Sequence, residues 1–150
     1  MPKTIIAPCF FFAIILLTGC GKSDYQDHQG NSSNFTDHQG KWMVINYWAV
    51  WCNPCIEEIP ELNHFAEKNS DKVVLFGIDY DDSQGEKLQE NINKLGISFP
   101  VLINDPAVML KYKRPDVLPT TLIFNPEGKL HRTLKGPQTE QTLLDALDPI

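Results

Sequence analysis

Two cysteines two residues apart, Cys52 and Cys55, stand where one hydrophobic pattern gives way to another. Before them, Met43 to Trp48 is a short run of apolar and β-prone residues, which predicts a buried strand. After them, residues 55–69 place Ile59, Leu62, Phe65 and Ala66 at helical spacing, with Pro60 predicting a kink. A chain that turns from strand to helix around two thiols has few folds open to it. Cys52 is expected at the helix N-terminus, where unpaired backbone N–H groups and the helix dipole favour a thiolate. Cys55, one turn further in, is expected to be more buried and to act as the resolving thiol. Pro54 suits the first helical turn, where its missing N–H costs nothing.

The same spacing is half of a zinc site, but zinc usually takes four ligands and the chain has no second pair. An inert structural disulfide is a poor alternative, since so short a loop gains little stability. A strand before the pair and a helix after it favour redox chemistry.

The remainder of the chain alternates in the same manner. Val73 to Ile78 predicts a second buried strand, and Leu88, Ile92 and Leu95 predict an amphipathic helix stopped by Gly96. Phe99 to Ile103 reads as a short strand and Ala107 to Tyr112 as a short helix. Thr120 to Phe124 and Lys129 to Thr133 flank Asn125-Pro126-Glu127-Gly128, the pattern of an antiparallel hairpin. Thr139 to Leu147 closes the chain as a helix. The order argues for an α/β layered sheet with helices on both faces. With 150 residues there is room for one such domain, and a net charge of −6 gives no general attraction to nucleic acid.

The N-terminus reads as an address. Lys3 precedes an uncharged, almost wholly apolar run from Ile5 to Leu17, interrupted by Pro8. That is short for a bilayer span and suits a signal-peptide core. Leu17-Thr18-Gly19-Cys20 resembles the lipobox of bacterial lipoproteins, where cleavage before the Cys exposes it for acylation. The reading makes 1–19 a signal peptide that includes Cys9, with Cys20 the lipidation site. The mature protein is then expected on a membrane surface of the bacterial envelope, facing the periplasm or other extracytoplasmic space, where disulfide chemistry is possible. Gly21 to Gly40 is polar and nearly free of aliphatic residues, which predicts a flexible spacer. Within it Asp27-His28-Gln29-Gly30 recurs as Asp37-His38-Gln39-Gly40, and its histidines have no other suitably spaced metal ligands. The expected organisation is signal peptide 1–19, lipidated Cys and tether 20–34, and one domain 35–150.

Asn46-Tyr47-Trp48-Ala49-Val50-Trp51-Cys52-Asn53-Pro54-Cys55 resembles the active-site segment of the thioredoxin superfamily. Val117-Leu118-Pro119-Thr120-Thr121 is similar to that family's cis-proline loop, and Gly128 and Gly136 match its terminal hairpin and following turn. The resemblance covers about Phe35 to the C-terminus and is closest to the TlpA/ResA-like branch, which the added segment from Ile78 to Pro100 suits. It implies a thioredoxin-like fold: a central mixed sheet, helices on both faces, and a C-terminal hairpin plus helix. It implies catalysis by Cys52 and Cys55, closed as a disulfide when oxidised, and a substrate-facing surface at Trp51, Leu118 and Pro119. Asn46 departs from the buried Asp of ordinary thioredoxins and cannot accept a proton. Glu58, at i+3 from Cys55, matches the acid that TlpA/ResA-like proteins place near the dithiol. The plain alternative is a solvated acid in the first helical turn, as Glu57 is expected to be.

The resemblance implies a lipid-anchored thiol–disulfide oxidoreductase that needs neither cofactor nor metal. Its expected partners are a disulfide-containing exported protein and a membrane electron-transfer protein as reductant; cytochrome c maturation is one such use. A net oxidase or isomerase on the same fold is the first alternative, since direction depends on reduction potential. A copper chaperone would need wider cysteine spacing and a partner for His131. A peroxidase reading lacks the expected Pro and Thr upstream of the reactive Cys.

Overall fold

The computed structural model describes residues 22–147. In chain order its elements are β1 (Tyr25–Gln26), β2 (Ser32–Ser33), a 3-10 turn (Phe35–His38), β3 (Trp42–Trp48), α1 (Asn53–Lys68), β4 (Val73–Asp79), α2 (Gly85–Leu95), β5 (Thr120–Phe124), β6 (Leu130–Lys135) and α3 (Glu140–Ala146). The principal sheet has the order β4-β3-β5-β6, with β3 parallel to β4 and β5 antiparallel to both β3 and β6. This is the α/β thioredoxin-like architecture, a mixed central sheet with three helices.

Side-chain alternation along β3 divides the core. Val44 and Trp48 join Ile59, Leu62 and Phe65 of α1, Leu143 of α3 and Leu88 and Ile92 of α2. Met43, Ile45 and Tyr47 pack with Phe76, Ile78, Leu122 and Phe124, against which Tyr25, Phe35, Leu110 and Tyr112 lie. Gly77 is where this sheet tolerates no side chain: a Cβ there would sit 2.8 Å from Trp48 Nε1 and 2.9 Å from Phe99.

Three segments differ from the sequence expectation. The expected spacer is ordered structure from Asp24 onward. β1 and β2 pair as a hairpin, and its backbone docks on the chain at 101–103. His28 N–H donates to Val101 O at 2.8 Å, Val101 N–H donates to His28 Nδ1 at 3.1 Å, and Ile103 N–H donates to Gln26 O at 3.0 Å. Asp27 is buried and accepts from the Gln29 and Asn31 backbones, both at 2.9 Å. Backbone pairing, one buried carboxylate and the Tyr25 ring against Phe76 hold this element, so its lack of aliphatic residues hid it. The recurring motif also has a structural reading. Tyr25 and Phe35 pack at 4.9 Å, and Tyr25 Oη lies 2.7 Å from His38 Nε2.

Phe99 to Ile103 forms isolated bridges rather than a strand, Val101 to Gly77 on one side and Leu102 to Asp27 on the other. Ala107 to Tyr112 is a set of turns instead of a helix. Leu110 N–H reaches Pro106 O and Tyr112 N–H reaches Ala107 O, with Lys111 at φ 58°. That path brings Tyr112 Oη within 2.8 Å of Tyr47 Oη, while Asp105 accepts from Tyr47 Oη at 2.7 Å. Pro60 lies inside α1, which is continuous over 16 residues. The lipobox, Cys9 and Cys20 lie outside the described residues.

Candidate active site

Trp48 ends β3, and Cys52 caps the first turn of α1 in an extended backbone conformation (φ −91°, ψ 98°). Its sulfur accepts from Cys55 N–H at 3.3 Å, satisfying one of the amides that a helix start leaves unpaired. Pro54 occupies the first turn, where it forfeits no intrahelical bond. Cys52 and Cys55 form a disulfide, with Cα atoms 5.3 Å apart. Cys52 is 6% exposed and Cys55 is fully enclosed. A partner's thiol can therefore reach the pair only at Cys52.

An open groove of about 590 Å³ runs past this sulfur. Trp51, Cys52, Asn53 and Pro54 form one wall, and Tyr80, Asp116, Val117 and Leu118 complete it. Trp51 is 61% exposed, and its indole N–H donates to Asp81 Oδ2 at 2.8 Å. The Leu118–Pro119 peptide bond is cis. Leu118 lines the groove; Pro119 is buried behind it, its carbonyl accepting from Gly136 N–H at 2.9 Å. Arg114 fixes the opposite wall: it donates to Tyr80 O at 2.7 Å, pairs with Asp82 and Asp105 at 3.1 Å, and lies over the Tyr80 ring.

Glu58 is not a solvated first-turn acid. It is 2% exposed and faces inward from α1, whereas Glu57 is exposed. One carboxylate oxygen accepts from Asn46 Nδ2 at 2.7 Å and the other from Gln138 N–H at 2.8 Å. Burial pushes its carboxyl up to about 7, against the lowering effect of the Gln138 and Asn46 donors. Glu58 lies three residues beyond Cys55, on the same face of α1, and a carboxyl raised toward neutrality is suited to accepting or giving a proton.

The structure thus gathers Trp51, Cys52 and Leu118 at the groove and Cys55 and Glu58 beneath it, with Pro119 buried behind the loop. Sequence reasoning missed Gln138, Thr121, Asp81, Tyr80 and Arg114. Gln138 contributes only a backbone N–H, which leaves no trace in residue identity. His131 is a surface residue of β6, its ring stacked edge-on against Trp42 at 5.2 Å, and it does not approach the cysteines' groove. Among the described residues no group of three or more His, Cys, Asp or Glu is placed to hold a metal ion.

Disulfide exchange with another protein's cysteines is the chemistry open to a helix-capping pair of this kind, which puts the chain among the thiol–disulfide oxidoreductases of thioredoxin-like fold. The chain belongs to the AhpC/TSA family, whose pattern it matches over residues 21–133. It is similar to the thiol–disulfide oxidoreductase ResA of Bacillus subtilis strain 168, with 29% identity over 83% of this chain and 70% of that protein. Among solved structures it resembles a DsbF homologue from Corynebacterium diphtheriae (25% identity, TM-score 0.70, covering 84% of this chain and 82% of that one). It also resembles the exposed lipoprotein thioredoxin Etrx1 of Streptococcus pneumoniae strain TIGR4 (25% identity, TM-score 0.66, 82% and 95% covered).

Proposed function

We propose that this protein is an extracytoplasmic, lipid-anchored reductase of disulfides in exported proteins, working through Cys52 with Cys55 as the resolving thiol. In the reduced protein, the Cys52 thiolate attacks one sulfur of the partner's disulfide. A Cys52–partner disulfide forms and the other partner sulfur leaves as a thiolate. Cys55 then gives its proton to the Glu58 carboxylate and attacks Cys52 Sγ. The Cys52–Cys55 bond closes and the second partner sulfur departs as a thiolate, so two electrons have passed to the partner.

The observation that carries this reading is the asymmetry of the pair, one sulfur at an open groove and the other enclosed, with the buried Glu58 one helical turn further along α1. Trp51 and the Leu118–Pro119 loop supply the surface on which the partner lies. Glu58 also supports the reducing direction. Its negative charge disfavours a neighbouring thiolate, and a dithiol whose reduced form is less stabilised is the stronger reductant. A membrane electron-transfer protein would restore the dithiol, and an apocytochrome c Cys-x-x-Cys is one exported substrate that requires reduction. Cys20, acylated, would hold the protein at the membrane.

Replacing Cys55 with Ala tests the assignment. The Cys55→Ala protein should accumulate covalent adducts with exported partners through Cys52, identifiable by mass spectrometry and released by reductant. Equal trapping by Cys52→Ala, or no adduct at all, would overturn it.

A further inference from the structure

We propose that Asn46 is a positioning residue for the reaction: its amide and the Glu58 carboxylate form one buried unit, in which Asn46 sets how readily Glu58 takes and releases its proton. The inference rests on the reading of Glu58 as proton acceptor, but its own evidence is geometric. Asn46 is fully buried at the centre of β3, paired in register with Thr121 of β5 on one side and Gly77 of β4 on the other. Its Nδ2 donates to Glu58 Oε1 at 2.7 Å and to Thr121 Oγ1 at 3.0 Å. Its Oδ1 is buried and has no donor.

An amide held only for packing would be a costly choice here, because an unpaired buried acceptor destabilises the fold. The arrangement makes sense around a group that changes protonation. When Glu58 is ionised, two N–H donors, from Asn46 and Gln138, satisfy its two oxygens. When Glu58 accepts a proton from Cys55, its new O–H faces a donor and needs an acceptor. Rotation of the Asn46 amide presents Oδ1 to it, and the Thr121 hydroxyl, able to donate or accept, follows that reversal. An apolar residue at 46 could serve neither state. An acid at 46 would put two carboxyl groups in hydrogen-bond contact, and the pair would share a proton.

The other surroundings of Glu58 carry no competing charge. β5 presents Thr121 to Asn46, and the segment before α3 presents the Gln138 backbone to Glu58. On α1 itself Glu57 and Glu61 are exposed, Glu61 being engaged with the Glu140 backbone N–H at 2.9 Å. That leaves Asn46 as the side chain that tunes the acid, apart from the dithiol.

The test titrates Glu58 directly by carbon-13 NMR of labelled Glu side-chain carboxyls, on the full chain with the disulfide closed so that neither thiol titrates. Asn46→Leu should raise the Glu58 midpoint by about one pH unit, because the hydrogen bond lost by the charged form is stronger than the one lost by the neutral form. Asn46→Asp, nearly isosteric and able to fold where Leu fails, should convert the single titration into two well-separated steps. Thr121→Val removes the second contact of Asn46 and should shift the midpoint by far less. An unmoved, single Glu58 titration in Asn46→Asp overturns the proposal. A midpoint that moves while the pH profile of turnover stays fixed shows that Asn46 tunes Glu58 but overturns both Glu58 as the proton acceptor and Asn46 as a positioning residue for the reaction.

Discussion

Trp51 leaves 61% of its surface in solvent, yet its indole N–H is held by the Asp81 carboxylate at 2.8 Å. The contact joins the residue before Cys52 to the turn that follows β4. That turn is fixed in its own right: Asp81 N–H donates to Asp79 Oδ1 at 3.0 Å, and Arg114 donates to Tyr80 O at 2.7 Å. The exposed ring is therefore held in one orientation as a wall of the groove.

Freeing that ring should weaken partner binding without disturbing the fold. Asp81→Ala is expected to raise KM for a disulfide-containing peptide several-fold with little change in kcat. Its unfolding free energy should stay within about 0.5 kcal/mol of the parent, as for other surface substitutions. Steady-state kinetics and urea unfolding measure both, and an unchanged KM would show that the ring's orientation does not matter.

Glu58 makes stability depend on pH in a defined direction. Its carboxyl is raised from 4.5 to about 7, so between those values the folded chain keeps a proton that the unfolded chain has lost. The group's contribution is full below about 4.5, falls as pH rises through 7, and then levels off. Glu58→Gln lacks this dependence. In oxidised protein its stability relative to the parent should improve by about 3 kcal/mol between pH 4 and pH 8. A difference that does not vary with pH would contradict the burial and titration argued for Glu58.

One side-chain acceptor, His28 Nδ1, adds to the backbone bonds that dock the N-terminal hairpin on residues 101–103. His28→Ala removes the partner of the Val101 amide and should cost about 1–2 kcal/mol. Hydrogen exchange at the Val101 amide should quicken while amides of β3 keep their protection. Equal exchange at Val101 in parent and variant would mean that His28 adds nothing to the docking.

The elements that periodicity can report were legible. Met43 to Trp48 predicted β3, Gly96 stopped α2 in a left-handed conformation (φ 66°), and Thr139 capped α3. The hairpin before residue 35 escaped because hydrogen bonds to Val101 and Ile103, some 70 residues away, and the single aromatic Tyr25 packed on Phe76 hold it without an aliphatic periodic face. Ala107 to Tyr112 has a helix-like composition, but the pull of Tyr112 toward Tyr47 and the left-handed Lys111 impose turns. At the site, the cysteines were visible from their spacing, and Glu58 only through its match to the acid of TlpA/ResA-like proteins. The contacts around it were not visible, because Asn46 and the Gln138 backbone reach it from separate parts of the chain, with Thr121 bonded to Asn46 behind them.

Location is a separate claim with its own test. Cys20→Ser should leave an unlipidated or uncleaved precursor and shift the protein out of the membrane fraction. An unmodified Cys20 in mass spectra of the native protein would contradict acylation there.

The division of labour between the two cysteines is tested most directly by timed alkylation of the reduced protein at pH 7, read site by site by mass spectrometry. Cys52 caps the helix at the groove and Cys55 is enclosed, so Cys52 should be modified at least about tenfold faster. Glu58→Gln should change the pH dependence of the slower site, and Glu57→Gln should not. Equal rates at the two cysteines, or faster modification of Cys55, would contradict the account.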